Sequence, residues 1–122
     1  MSYIYFVREE SRGNIKIGIT SEPTLRLSQL QSGNPDVLNI EGIANGGPLS
    51  EYALHVKFSE HQIHGEWFHP AHEVLDFMQS LPTYDEYEAG EPLPDLDSEF
   101  EIEAAGFKLA GIKPRRRRKK RY

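Results

Sequence analysis

The chain opens on two runs, YIYFVRE (residues 3–9) and IKIGIT (15–20), separated by a short polar stretch. In the second run Ile15, Ile17 and Ile19 alternate with Lys16, Gly18 and Thr20. A period of two puts the isoleucines on one face of a strand and the lysine, glycine and threonine on the other. The first run is β-branched and aromatic, as strands are. Gly13-Asn14 between them tolerates the positive φ of a turn. The pair therefore predicts an antiparallel hairpin. A Lys followed by a Gly on one face of such a strand suits the floor of a site, because a glycine lets substrate or backbone approach closely.

The rest of the pattern supplies covering elements. SEPTLRLSQLQSG predicts a helix capped by Ser21, with Pro23 in its first turn, Gly33 at its end, and Leu27 and Leu30 on one face beside Leu25. DVLNIEGIA predicts a third strand. PLSEYALHVKFSEH predicts a second helix with Leu49, Tyr52, Ala53 and Val56 inward. GEWFHP is a short extended piece, and HEVLDFMQSL a third helix stopped by Pro82. The order β-β-α-β-α-α gives a small α+β layer, with no internal repeat.

Charge divides the chain into three parts. Residues 1–81 hold 5 Lys and Arg against 10 Asp and Glu, residues 82–112 hold 1 against 9, and residues 113–122 hold 8 against none. The expected organisation is a folded domain over 1–81, a flexible acidic linker over 82–112 with a short helix near 98–112, and a basic tail over 113–122. Without cysteine, no disulfide or thiolate metal site can form. No apolar run approaches the roughly 18 residues of a membrane helix, and MSYIYFVREE lacks the basic-then-apolar layout of a signal peptide. A cytoplasmic protein without membrane association is the expectation.

Taken in order, YIY at residues 3–5, KIG at 16–18, RLSQLQSGNP from Arg26, LSEYALHVKF from Leu49 and GEWF at 65–68 resemble the GIY-YIG endonuclease superfamily, most closely its small phage and bacterial branch. The resemblance covers residues 3–80. It implies a three-stranded antiparallel sheet flanked by helices and a metal-dependent endonuclease that hydrolyses nucleic-acid phosphodiester bonds, DNA first. By position, Tyr5 matches the first-motif tyrosine, a general base or water-positioning group. Lys16 stands where the second motif has Tyr. Arg26 matches the phosphate-facing arginine, and Glu51 the glutamate that holds Mg²⁺ or Mn²⁺. Leu30 stands where many members carry His, which leaves a catalytically inactive nucleic-acid-binding module of the same fold as the alternative.

The residue chemistry agrees with these roles. Arg26 offers a bidentate fork to phosphate, and Glu51 an oxygen ligand for a hard cation. A phenol with a pKa near 10 needs a cation beside it to act as a base near neutral pH, and Lys16 on the neighbouring strand is placed to be that cation. His55, four residues after Glu51, shares its helix face and joins the catalytic candidates. Each residue also has a plainer reading: Tyr5 as a core aromatic, Lys16 and Arg26 as solvated positions, and Glu51 as a helix-dipole partner. A zinc site from Glu51, His55, His61 and His64 is a rival without recognised spacing. Trp67 and Phe68 close the core, with base stacking as the other use of Trp67. In the tail, Arg115, Arg116, Arg117, Arg118, Lys119, Lys120 and Arg121 are candidates for sequence-independent nucleic-acid binding. Residues 83–122 also offer a surface to a protein partner.

Overall fold

A computed structural model describes residues 1–100. Strand β1 (Tyr3–Glu9) pairs with β2 (Ile15–Thr20) in the expected antiparallel hairpin, with Tyr5 opposite Gly18 and Val7 opposite Lys16. The intervening turn is pinned by Asp36, whose carboxylate accepts from the backbone N–H of Ser11 at 3.0 Å and of Arg12 at 3.2 Å. On its other edge β1 pairs antiparallel with β3 (Leu38–Asn45).

The sheet is wider than the expected three strands. GEWF and the residues before it fold into a small hairpin, β4 (Gln62–His64) and β5 (Trp67–Phe68), turning at Gly65 with φ 55°. Strand β5 adds to β2, so the order is β3-β1-β2-β5-β4 with every pairing antiparallel. Strands this short carry too few residues for a period of two to register.

Alternation splits the core into two layers. Ile4, Phe6, Ile15 and Ile17 pack with Leu54 of helix α2 (Pro48–Lys57) and Phe58 just beyond its end, and with Val74 and Met78 of α3 (His72–Gln79). Tyr5, Val7, Ile40 and Ile43 face the other way, where Leu27 and Leu30 of α1 (Pro23–Ser32) cover them. Leu30, at the position of the missing histidine, is thus a half-buried residue packed against the core.

Three local expectations are corrected. Glu22, not Ser21, precedes α1, and it makes no side-chain cap. Helix α2 turns a different face inward: Leu49, Tyr52 and Val56 are exposed, while Ser50, Leu54 and the capping residue Phe58 are buried. Its inner row runs at four-residue spacing and is tolerated with a serine in it, because the Ser50 hydroxyl hydrogen-bonds Asp97 at 2.5 Å.

The third correction concerns the acidic stretch, whose described part is packed and not a free linker. Thr83 and Glu86 form a capping box that starts α4 (Tyr84–Glu88). Tyr84, Tyr87 and Leu93 pack on the Tyr5 side of the sheet, and Leu96 is buried on the opposite side. Asn45 bridges Asp95, and Asp97 accepts from the Gly47 backbone N–H at 3.0 Å. Residues 96–100 are helical. The rest of the expected 98–112 helix and the basic tail, Arg115 to Arg121, lie outside the described residues. Among the described residues, no helix is long and apolar enough to cross a membrane.

Candidate active site

The cross-strand partner of Tyr5 is Gly18, and the tyrosine ring lies directly across it. A Cβ placed on Gly18 would sit 2.3 Å from the Tyr5 hydroxyl and 3.1 Å from Glu66 Oε1. The absent side chain is therefore what lets a phenol and a carboxylate meet on the sheet. This answers why a covered strand carries a glycine there.

Helix α1 brings Arg26 over the same spot, where its Nε donates a long hydrogen bond, 3.5 Å, to the Tyr5 hydroxyl. Its Nη1 reaches Gln29 at 3.4 Å. Both contacts are near the outer limit of a hydrogen bond, and Arg26 makes no ion pair among the described residues. The guanidinium is placed but not consumed. Lys16 is committed elsewhere: its Nζ lies 3.1 Å from Glu66 Oε1 and 5.6 Å from the centre of the Trp67 ring. The cation against the Tyr5 phenol is thus Arg26, and the pairing with Lys16 expected from the adjacent strands gives way to Gly18.

Burial pushes the Tyr5 phenol above its ordinary value; the Arg26 hydrogen bond and charge oppose this, and the charges of Glu66 and Glu51 add to it. The phenol is accordingly protonated at neutral pH and available as a donor.

From α2, Glu51 reaches toward Glu66. Its carboxyl is pushed above the usual carboxylate range by burial first, then by the charge and hydrogen-bonding proximity of Glu66, with His55 and Lys16 pulling the other way. Glu51 Oε2 is buried and has no hydrogen-bond partner. Two carboxyls held together with an oxygen unsatisfied are unfavourable unless a proton or a positive group stands between them. The donor set, carboxylate oxygens in a partly covered site, fits a hard divalent cation.

His55 sits one turn beyond Glu51, but its Nε2–H donates to the Ile17 carbonyl at 2.9 Å and its ring packs edge-on against Phe68, 5.1 Å between centres. It braces α2 onto β2. The zinc alternative does not assemble. His61 instead binds Glu73 at 2.6 Å, with Glu60 at 3.8 Å, and these form the only group of three or more His and acidic residues among those described whose ligand atoms all lie within 4.8 Å of one another.

Sequence reasoning brought Tyr5, Lys16, Arg26 and Glu51 to this spot and missed Glu66. The signal was present in GEWF, where an acidic residue follows the turn glycine and precedes two aromatics. Trp67 is half-buried against the Tyr5 side and Phe68 is fully buried, as core closure requires.

A five-stranded antiparallel sheet holding a phenol, a guanidinium, an ammonium and two carboxylates at one point defines a small α+β domain suited to a charged, oxygen-rich ligand. The chain belongs to the T5orf172 domain family, whose pattern matches residues 2–81. That domain occurs in nuclease-like proteins of phages and bacteria. No curated protein and no solved structure matches the chain.

Proposed function

We propose that this domain is a metal-dependent endonuclease of the GIY-YIG type that hydrolyses phosphodiester bonds, with DNA as the first substrate to test. The observation that carries the reading is the partnerless buried oxygen of Glu51, in a carboxyl that lies against a second carboxyl, Glu66, next to a protonated phenol and an uncommitted guanidinium. Mg²⁺ or Mn²⁺ held by Glu51 supplies Lewis-acid stabilisation of charge on the phosphate.

The chain's own residues do the remainder. Arg26 exchanges its two weak contacts for the phosphate oxygens, where a planar fork is worth most. The Tyr5 hydroxyl donates to a phosphate oxygen or to the attacking water and fixes its direction. Lys16 adds positive charge at the rim of an otherwise acidic domain. His55 keeps α2, and hence Glu51, at its distance from β2. The basic residues 115–121 provide non-specific affinity that falls with salt.

Cleavage of plasmid and branched DNA in Mg²⁺ or Mn²⁺ tests this. Glu51→Ala is expected to abolish nicking, and Arg26→Ala to lower the rate by about 10²–10³-fold, as loss of one charge-stabilising donor does. Wild-type protein that retards DNA on a gel but never cuts it would replace the enzyme with the binding module.

A further inference from the structure

We propose that Glu66 is a cation ligand alongside Glu51, and that Lys16 is the built-in counter-ion that holds Glu66 until the divalent cation displaces it. The inference rests on the reading of the site as a cation site. It adds two residue roles that the sequence motifs do not assign.

Position is the first support. The Glu66 backbone is fixed to the central sheet, because its carbonyl accepts from the Ile17 N–H at 2.9 Å. Its side chain points back over Gly18, with Oε1 close to the spot filled by the Tyr5 hydroxyl. Glu66 lies in the tight turn just before β5, and a turn residue locked to the sheet by a backbone bond is held more rigidly than one on a free loop.

Charge is the second. Glu51 and Glu66 present two carboxyls to one small volume, and Lys16 brings one positive charge. That charge is in ion-pair contact with Glu66, while Glu51 Oε2 has no partner. A monovalent ammonium on one side of the pair leaves the other side unsatisfied. A divalent cation between the two carboxylates balances both, since hard cations take several oxygens at once.

Release is the third. The Lys16 side chain is 12% exposed and Glu66 40%, so the pair lies at the mouth of the site. The Lys16 ammonium already lies over the Trp67 face. When Glu66 turns to the ion, Lys16 keeps that cation–π contact and gains a substrate phosphate as its anion.

The test is binding, not cleavage. Trp67 is the chain's single tryptophan and stands beside the site, so terbium luminescence excited through it reports an ion arriving there. Mn²⁺ titration followed by electron paramagnetic resonance gives the affinity. Glu66→Gln and Glu51→Gln are each expected to weaken Mn²⁺ binding at least about tenfold, Glu66→Asp to restore part of the loss, and Lys16→Met to bind several-fold more tightly than wild type. Thermal unfolding in EDTA checks that each variant is folded.

Glu66→Gln binding like wild type, with Glu51→Gln defective, overturns the role of Glu66 and leaves the nuclease reading standing. Lys16→Met weakened as far as Glu66→Gln overturns the counter-ion role. A wild-type protein that binds neither Mn²⁺ nor Tb³⁺ overturns the cation site itself and this inference with it.

Discussion

Gly18 is the residue on which the site turns. Any side chain there must occupy the space of the Tyr5 hydroxyl, which a fully packed sheet cannot yield cheaply. Gly18→Ala is expected to cost about 1–3 kcal/mol, the usual range for overpacking, seen as a lower midpoint in urea. It is also expected to free the phenol from Arg26, so cleavage falls further than stability explains. Tyr5→Phe removes only the hydroxyl and supplies the control: near-normal stability with cleavage lost. The importance of Gly18 was legible in the sequence, because KIG on an alternating strand leaves one position without a side chain on the polar face. The companion expectation failed for a geometric reason. Lys16 pairs diagonally with Tyr5 rather than directly, and a carboxylate from outside the hairpin reaches it first. Glu66 itself stayed hidden because its place depends on β5 joining β2, which two residues of strand do not announce.

At the scale of the element, α2 carries Glu51 and is fixed at its start from elsewhere in the chain. Asp97 accepts from Ser50 and from Gly47, which together hold its carboxyl below the usual carboxylate range against the opposing effect of burial. A depressed folded value means the contribution is fully present above the ordinary carboxylate pKa of about 3.9 and is lost as pH falls through the lower folded value. Asp97→Ala is therefore expected to lose about 1 kcal/mol at pH 7, with the gap to wild type closing in strongly acid solution, as followed by thermal unfolding against pH. Hydrogen exchange in the first turn of α2 should speed up in the variant. Hydrophobic spacing misplaced this helix because Leu49, Tyr52 and Val56 look like a buried face, whereas the helix actually turns Ser50 inward and lets a distant carboxylate satisfy it.

For the whole molecule, the acidic segment matters more than its composition suggests. Proline and acidic residues over 83–98 read as linker, yet four apolar side chains, Tyr84, Tyr87, Leu93 and Leu96, recur within it and each finds the core. The capping box at Thr83 and Glu86 was a readable signal that an element starts there. The family match ends at residue 81, so a fragment cut there keeps every candidate site residue of the folded part but loses Leu96 and Asp97. Residues 1–81 alone are expected to unfold with a broad, weakly cooperative transition, while residues 1–100 unfold sharply like the full chain; circular dichroism on heating separates the two.

The bond between Ser50 and Asp97 spans 47 residues, and it closes on the helix that presents Glu51. During synthesis the chain emerges at about 5–20 residues per second and domains fold as units. The hairpin with Tyr5 and Gly18 leaves the ribosome early, but the buttress for Glu51 arrives only near the end of the domain. The nascent chain thus assembles its two halves of the site in a fixed sequence in time. The carboxylate side is completed only once Asp97 has emerged, well after Glu51 itself.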